Sequence, residues 1–232
     1  MPFCRSCGKE VPENAVHCPH CGERIRAPAV ERVGAGEHLS IAFRIATEKP
    51  LIFAPVVISG LISVVIDNIW GTPFLQSRFS PLLFVAGIIS LVGSIINYLL
   101  NFASIDMSRD AYMGEPLDLM DSVNYVISRI GTFIIASILG AVMAITIILI
   151  PAVVFMFVII VMDETSIGVA VSRSFSVLSS DLGDIILILI IAIVGSAILG
   201  FVPFISGLLN ACFNVVIGLA FIDVYHNYRK GL

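Results

Sequence analysis

Four cysteines near the start of the chain, Cys4-x2-Cys7 and Cys18-x2-Cys21, have the spacing of a metal site. Two residues between a pair let both thiolates converge on one tetrahedral ion, with metal–sulfur bonds of about 2.3 Å. Gly8 and Gly22 follow the second cysteine of each pair, where a residue tolerant of positive φ lets the turn fold back and aim N–H groups at sulfur. Zn2+ with four thiolates is a net dianion, and Arg5, Lys9, Arg24 and Arg26 are placed to offset it. Two disulfides in a secreted module are the alternative. With no cleavable signal sequence expected ahead of the motif, and with two knuckles rather than a disulfide framework, the pattern favours one structural zinc. Four thiolates leave no open position for catalysis. His17 and His20 are then surface residues, and Cys212, inside an apolar run, reads as a small core residue.

Other polar residues sit in apolar surroundings. Asn97 and Asn101, and Asn210 and Asn214, are i, i+4 pairs that put carboxamides on single helix faces. A carboxamide in hydrocarbon needs a partner, so the four are expected to meet inside a helix bundle, as interhelical glue or as the lining of a polar interior. Asp106, Asp163 and Asp223 each stand at the end of an apolar run, as candidate carboxylates at a cytoplasmic mouth. A carboxylate at a helix C-terminus opposes the macrodipole. The helices therefore continue beyond these residues, or Arg109, Arg173 and Arg229 pair with them. Enzyme signatures are missing: there is no His-Glu-x2-His, no glycine-rich phosphate loop, and no span with a central Asp, Glu, His or Lys. That pattern speaks against intramembrane catalysis and ion-coupled transport, and the chain is read as a non-enzyme.

The elements that carry these residues are those of a membrane protein. The 232 residues are 58% hydrophobic and only 13% charged, with a mean hydropathy of +1.01, against about 25% charged in a soluble domain. A net charge of -4 gives no support to nucleic-acid binding. Residues 1–26 form the zinc module, 27–37 read as a linker, and 38–232 as the membrane domain. Leu51–Ile66 and Pro81–Ile105 each fit a single span of about 20 residues. The uncharged run 185–222 is divided by Pro203. The run 131–162, interrupted by Pro151, is one long helix or two short ones. With six spans and both termini cytoplasmic, Arg78 alone among the 13 Lys and Arg residues lies outside, so the positive-inside rule selects six. A plasma-membrane, multi-pass protein is expected.

Three amphipathic segments precede the paired runs: Leu39/Ala42/Phe43/Ala46, Leu119/Val123/Val126/Ile127/Ile130 and Ile167/Ala170/Val171/Ser174/Phe175/Leu178. Each second run ends alike, at Asp106, Asp163 and Asp223. The fold class expected is an all-α membrane bundle of six transmembrane and three interfacial helices, in a threefold internal repeat over about 38–106, 117–163 and 166–223, with a small N-terminal zinc ribbon.

Residues 3–25, with their Cys-x2-Cys-Gly pairs, resemble the short N-terminal zinc ribbons of many bacterial and archaeal membrane proteins. The resemblance implies a rubredoxin-like pair of knuckles on small β-hairpins and gives the ligand role to Cys4, Cys7, Cys18 and Cys21. Residues 38–228, through their layout and surface helices such as Ala170-x3-Ser174-x3-Leu178, resemble a broad group of prokaryotic six-span membrane proteins. That group includes the membrane domain that precedes some glycerophosphodiester phosphodiesterases. The phosphodiesterase catalytic domain has no counterpart here, so no activity carries over. The expected role is a membrane scaffold, adaptor or regulator whose cytoplasmic ribbon docks a protein partner. A transporter, or a lipid- or small-molecule-binding protein using the asparagine-lined interior, is the alternative. Self-association through the small-residue stripes is not favoured.

Overall fold

The computed structural model describes residues 7, 9, 10, 20, 21, 33–70, 82–202 and 205–230. The chain divides into two compact units, one of residues 1–33 and one of residues 34–230. In the first unit, Cys7, His20 and Cys21 lie in turns and Glu10 in an isolated bridge. Cys4, Cys18 and the implied hairpins lie outside the described residues.

The described residues of the second unit form nine α-helices: α1 (Ala35–Glu48), α2 (Ala54–Trp70), α3 (Leu82–Met113), α4 (Leu119–Ser128), α5 (Ile130–Ala144), α6 (Ile150–Asp163), α7 (Ile167–Ser180), α8 (Leu182–Gly200) and α9 (Ser206–Lys230). Local chemistry sets their limits. Asp118 caps α4 by accepting from the N–H groups of Met120 and Asp121. Gly34 at the start of α1 has no side chain to cap with, and the Ala35 N–H is taken by Asp184 of α8 at 2.9 Å. Pro151 sits in the first turn of α6, where its missing N–H costs nothing. The apolar stretch 131–162 is thus two helices, with a short 3₁₀ turn at Ile147–Leu149 between them. The run 185–222 also breaks, between Gly200 and Ser206.

Each amphipathic helix is followed by a helical hairpin: α1 by α2–α3, α4 by α5–α6, α7 by α8–α9. The second helices α3, α6 and α9 touch one another at the centre. α4 packs on α3, α7 on α6, and α1 on the last helix, α9. In each hairpin a glycine admits a side chain of the partner helix: Ile66 onto Gly93, Val153 onto Gly140, Phe213 onto Gly195. Gly140 is therefore filled from within the chain.

Among the described residues, four segments are long and apolar enough to cross a membrane: Pro50–Asn68, Leu83–Met113, Leu182–Gly200 and Ser206–Lys230. The middle hairpin is shorter. The 15 residues of α5 reach about 22 Å and the 14 of α6 about 21 Å, against a hydrocarbon core of about 30 Å. α4 and α5 taken together pass the same test but bend by 76° at their junction. α6 is apolar all round because protein surrounds it: Phe155, Met156 and the run Val158–Val161 are all buried.

The amphipathic helices do not bury their largest apolar residues. Phe43, Ile127 and Phe175 are exposed, whereas His38, Ala42 and Ala46, then Ser122 and Val126, then Ala170, Ser174 and Val177 face the bundle. Where the outer surroundings are apolar, bulk gains little by turning inward, and small residues allow close helix approach.

Candidate functional site

The three aspartates lie at one end of the central helices, and each has different neighbours. α3 and α9 continue past Asp106 and Asp223, which puts both carboxylates inside a helix and almost fully buried. Asp223 accepts from His38 Nδ1 of α1 at 2.5 Å, from the Tyr112 hydroxyl of α3 at 2.5 Å, and from Asn227 at 3.4 Å. The Tyr112 oxygen also lies 3.1 Å from His226 Nδ1. Asp106 has Arg109 Nη1 at 3.0 Å, one turn on, and the buried Ser122 hydroxyl of α4 beside it.

Asp163 ends α6, where the helix dipole disfavours a carboxylate. Two arginines from other helices converge on it. Arg229 Nη1 of α9 donates to Oδ1 at 2.8 Å, while Arg173 of α7 and the Tyr225 hydroxyl donate to Oδ2. Arg173 is held above the ordinary arginine value first by Tyr225 and then by Asp163, so its charge is permanent. Asp223, whose expected partner was Arg229, is instead held by His38 and Tyr112.

Basic side chains also close the helix ends. Lys49 donates to the Ala111 carbonyl of α3 at 3.0 Å. Arg129 donates to the carbonyls of Glu164 at 2.8 Å and Thr165 at 3.2 Å, just past the end of α6. Arg109 reaches the Val161 carbonyl at 3.3 Å, pairs with Asp110 at 2.8 Å, and lies over the Tyr125 ring at 5.4 Å. Between these ends lies an open polar basin of about 910 Å³, lined by Arg109, Arg173, Arg229, Asp163, Glu164 and Tyr225 among others.

The asparagines are placed differently from the expected single cluster. Asn97 donates to Ser63 of α2 at 3.1 Å. Asn101 and Asn214 donate to backbone carbonyls one turn back, Asn97 O and Asn210 O, each at 2.8 Å. Asn101 and Asn214 do face one cavity of about 470 Å³ with Ser104, Ser108 and mostly apolar neighbours. The side-chain oxygens of Asn97 and Asn210 are buried and accept no hydrogen bond among the described residues.

Of the sulfur ligands, Cys7 and Cys21 are among the described residues and Cys4 and Cys18 are not. Four cysteines in two x2 pairs are the donor set zinc takes in a closed tetrahedral site, so the residues present fit that ion. No carboxylate, imidazole and thiol groups come together in threes as a metal site among the described residues. The three aspartates therefore do not share an ion there.

Spacing did not single out His38, Tyr112, Ser122 or Tyr225. The one available signal was that His38 stands four residues before Ala42, on the small-residue stripe of α1.

Residues 3–25 match the family model of a zinc-ribbon domain. No curated protein matches the chain, and no solved structure does. The likeness of residues 38–228 to six-span prokaryotic proteins thus has architecture alone behind it.

Proposed function

We propose that this protein is a non-enzymatic membrane scaffold whose zinc-loaded ribbon docks a cytoplasmic protein, acting as an adaptor or regulator. In this reading Cys4, Cys7, Cys18 and Cys21 hold one structural zinc, which supplies the fold of the ribbon and no chemistry. The membrane part is a six-span bundle in a threefold repeat, supported by its order of one amphipathic helix and one hairpin, three times over. The middle hairpin, being short, sits in a locally thinned bilayer or tilts little, and its second helix, α6, is held by the rest of the bundle.

The observation that carries the reading is the lacing of the basic end. Arg109, Arg129, Arg173, Arg229 and Lys49 all bond to the ends of α3 and α6, and Asp223 ties α9 to α1 and α3. Such a network makes a fixed platform rather than a moving gate. The positive-inside rule turns this end, and the N-terminus with it, to the cytoplasm, where thiols stay reduced and open to metal. The interior favours packing over passage, since Asn97 is engaged with Ser63 and the cavity that reaches Asn214 is largely apolar.

Proximity labelling in the native membrane tests the docking role, with the whole chain compared to Cys7→Ser/Cys21→Ser. Zinc analysis of the purified proteins should give one ion per chain, lost in the variant. A defined cytoplasmic neighbour that disappears with the zinc, while membrane insertion is unchanged, is the expected result. An identical set of neighbours for both proteins would refute docking by the ribbon.

A further inference from the structure

We propose that the basin at the basic end binds a phosphate ester that also carries a primary ammonium, the chemistry of phosphoethanolamine, presented by a phospholipid headgroup. This goes beyond the scaffold reading and does not depend on the ribbon. Three arginines line the basin. Arg173 and Arg229 grip opposite oxygens of Asp163, whose carboxyl is only 11% exposed, while the two arginine side chains are 49% and 48% exposed. Each uses one nitrogen on the carboxylate, and Arg173 also has the Tyr225 hydroxyl as a hydrogen-bond neighbour, which leaves the other N–H groups of both guanidiniums at the basin. Two cations on one carboxylate leave a positive charge over, and their free N–H groups match phosphate oxygens in geometry and charge.

A carboxylate, Glu164, lines the same basin. Glu164 has φ +49, and it is the one non-glycine residue with positive φ among those described. Such a backbone persists only where its surroundings over-determine it, and here Arg129 holds the Glu164 carbonyl at 2.8 Å. Its side chain is 64% exposed, with its nearest cation, Arg109, 3.7 Å away and beyond hydrogen-bond range. Glu164 is thus held in a strained conformation that keeps an exposed carboxylate, loosely paired with Arg109, at the basin. Exposed guanidiniums and an exposed carboxylate in one basin suit a zwitterion better than a simple anion. Met113 and Met162 line the same basin and offer apolar surface to the glycerol part of a lipid.

The full chain, purified in a neutral detergent, should be titrated with phosphoethanolamine and with glycerol phosphate at constant ionic strength. Phosphoethanolamine should bind about tenfold more tightly, the worth of one charge-assisted hydrogen bond. Glu164→Gly suits the positive φ, so it should fold, and it should erase that preference while leaving glycerol phosphate binding unchanged. Arg173→Gln should weaken both compounds about tenfold or more; Arg173→Lys, which keeps the charge beside Asp163, serves if the glutamine variant does not fold. In nanodiscs, a rise in thermal stability with phosphatidylethanolamine over phosphatidylcholine identifies the lipid as the source. Binding of the soluble compound with no lipid effect keeps the chemistry and assigns a soluble source. Equal binding of the two soluble compounds by the wild-type chain, or a preference that survives Glu164→Gly, would overturn the proposal.

Discussion

Lipid offers no hydrogen-bond donors, so a carboxylate among membrane helices must be satisfied by the protein itself. Asp223 meets this demand with His38 and Tyr112, which lie 185 and 111 positions away in sequence. Replacing it by leucine strands both donors in a buried site, and the loss should be about 3 kcal/mol or more. The double variant His38→Leu/Asp223→Leu should lose less, because it removes the orphaned imidazole as well. Thermal unfolding in detergent across the two singles and the double measures this, and additive losses would show that the pair does not act together. The asparagines give a contrasting case. Asn97 with Ser63 should show a coupling of about 0.6 kcal/mol in a double-mutant cycle, the average for hydrogen bonds between membrane helices. Asn97 with Asn214 should show none, since Asn97 is engaged elsewhere. None of these pairings could be read from spacing, because each joins positions remote in sequence.

Helix limits were far more legible than helix faces. Proline and glycine act locally, so Pro151 marked the start of α6 and the break at 201–205 fell where Pro203 had placed it. Phe43, Ile127 and Phe175 share the apolar faces that periodicity marks on α1, α4 and α7, yet they are exposed while smaller residues of those helices pack on the bundle. The rule that apolar residues turn inward presumes water outside. Here the large residues face outward and the stripe of small or polar ones packs. Close approach also governs the hairpins. In α5, an added side chain at Gly140 meets Val153, Met156 and Phe157 of α6. Gly140→Leu should therefore cost about 1–3 kcal/mol, the usual penalty of overpacking, seen as a lower melting temperature in detergent. A neutral result would mean that Gly140 does not set the spacing of α5 and α6.

For the molecule as a whole, apolar composition announced a membrane protein without fixing how often it crosses. The run 131–162 reads like lipid-facing sequence, yet α6 earns its apolar character from protein neighbours on all sides. Labelling decides the matter. With Cys212 removed, a cysteine at Thr146, in the turn between α5 and α6, should react with an impermeant reagent added outside the cell. Cysteines at Gly114 and Ser180 should react only after permeabilisation. Protection of Thr146 from outside would leave four crossings and a middle hairpin that enters and leaves by the same face. The packing of α1 against α9 bears on how the chain is made. A ribosome delivers α1 well before α9, so His38 must wait for 185 further residues before its acceptor exists. Until then the imidazole of α1 lacks the acceptor that the finished bundle gives it.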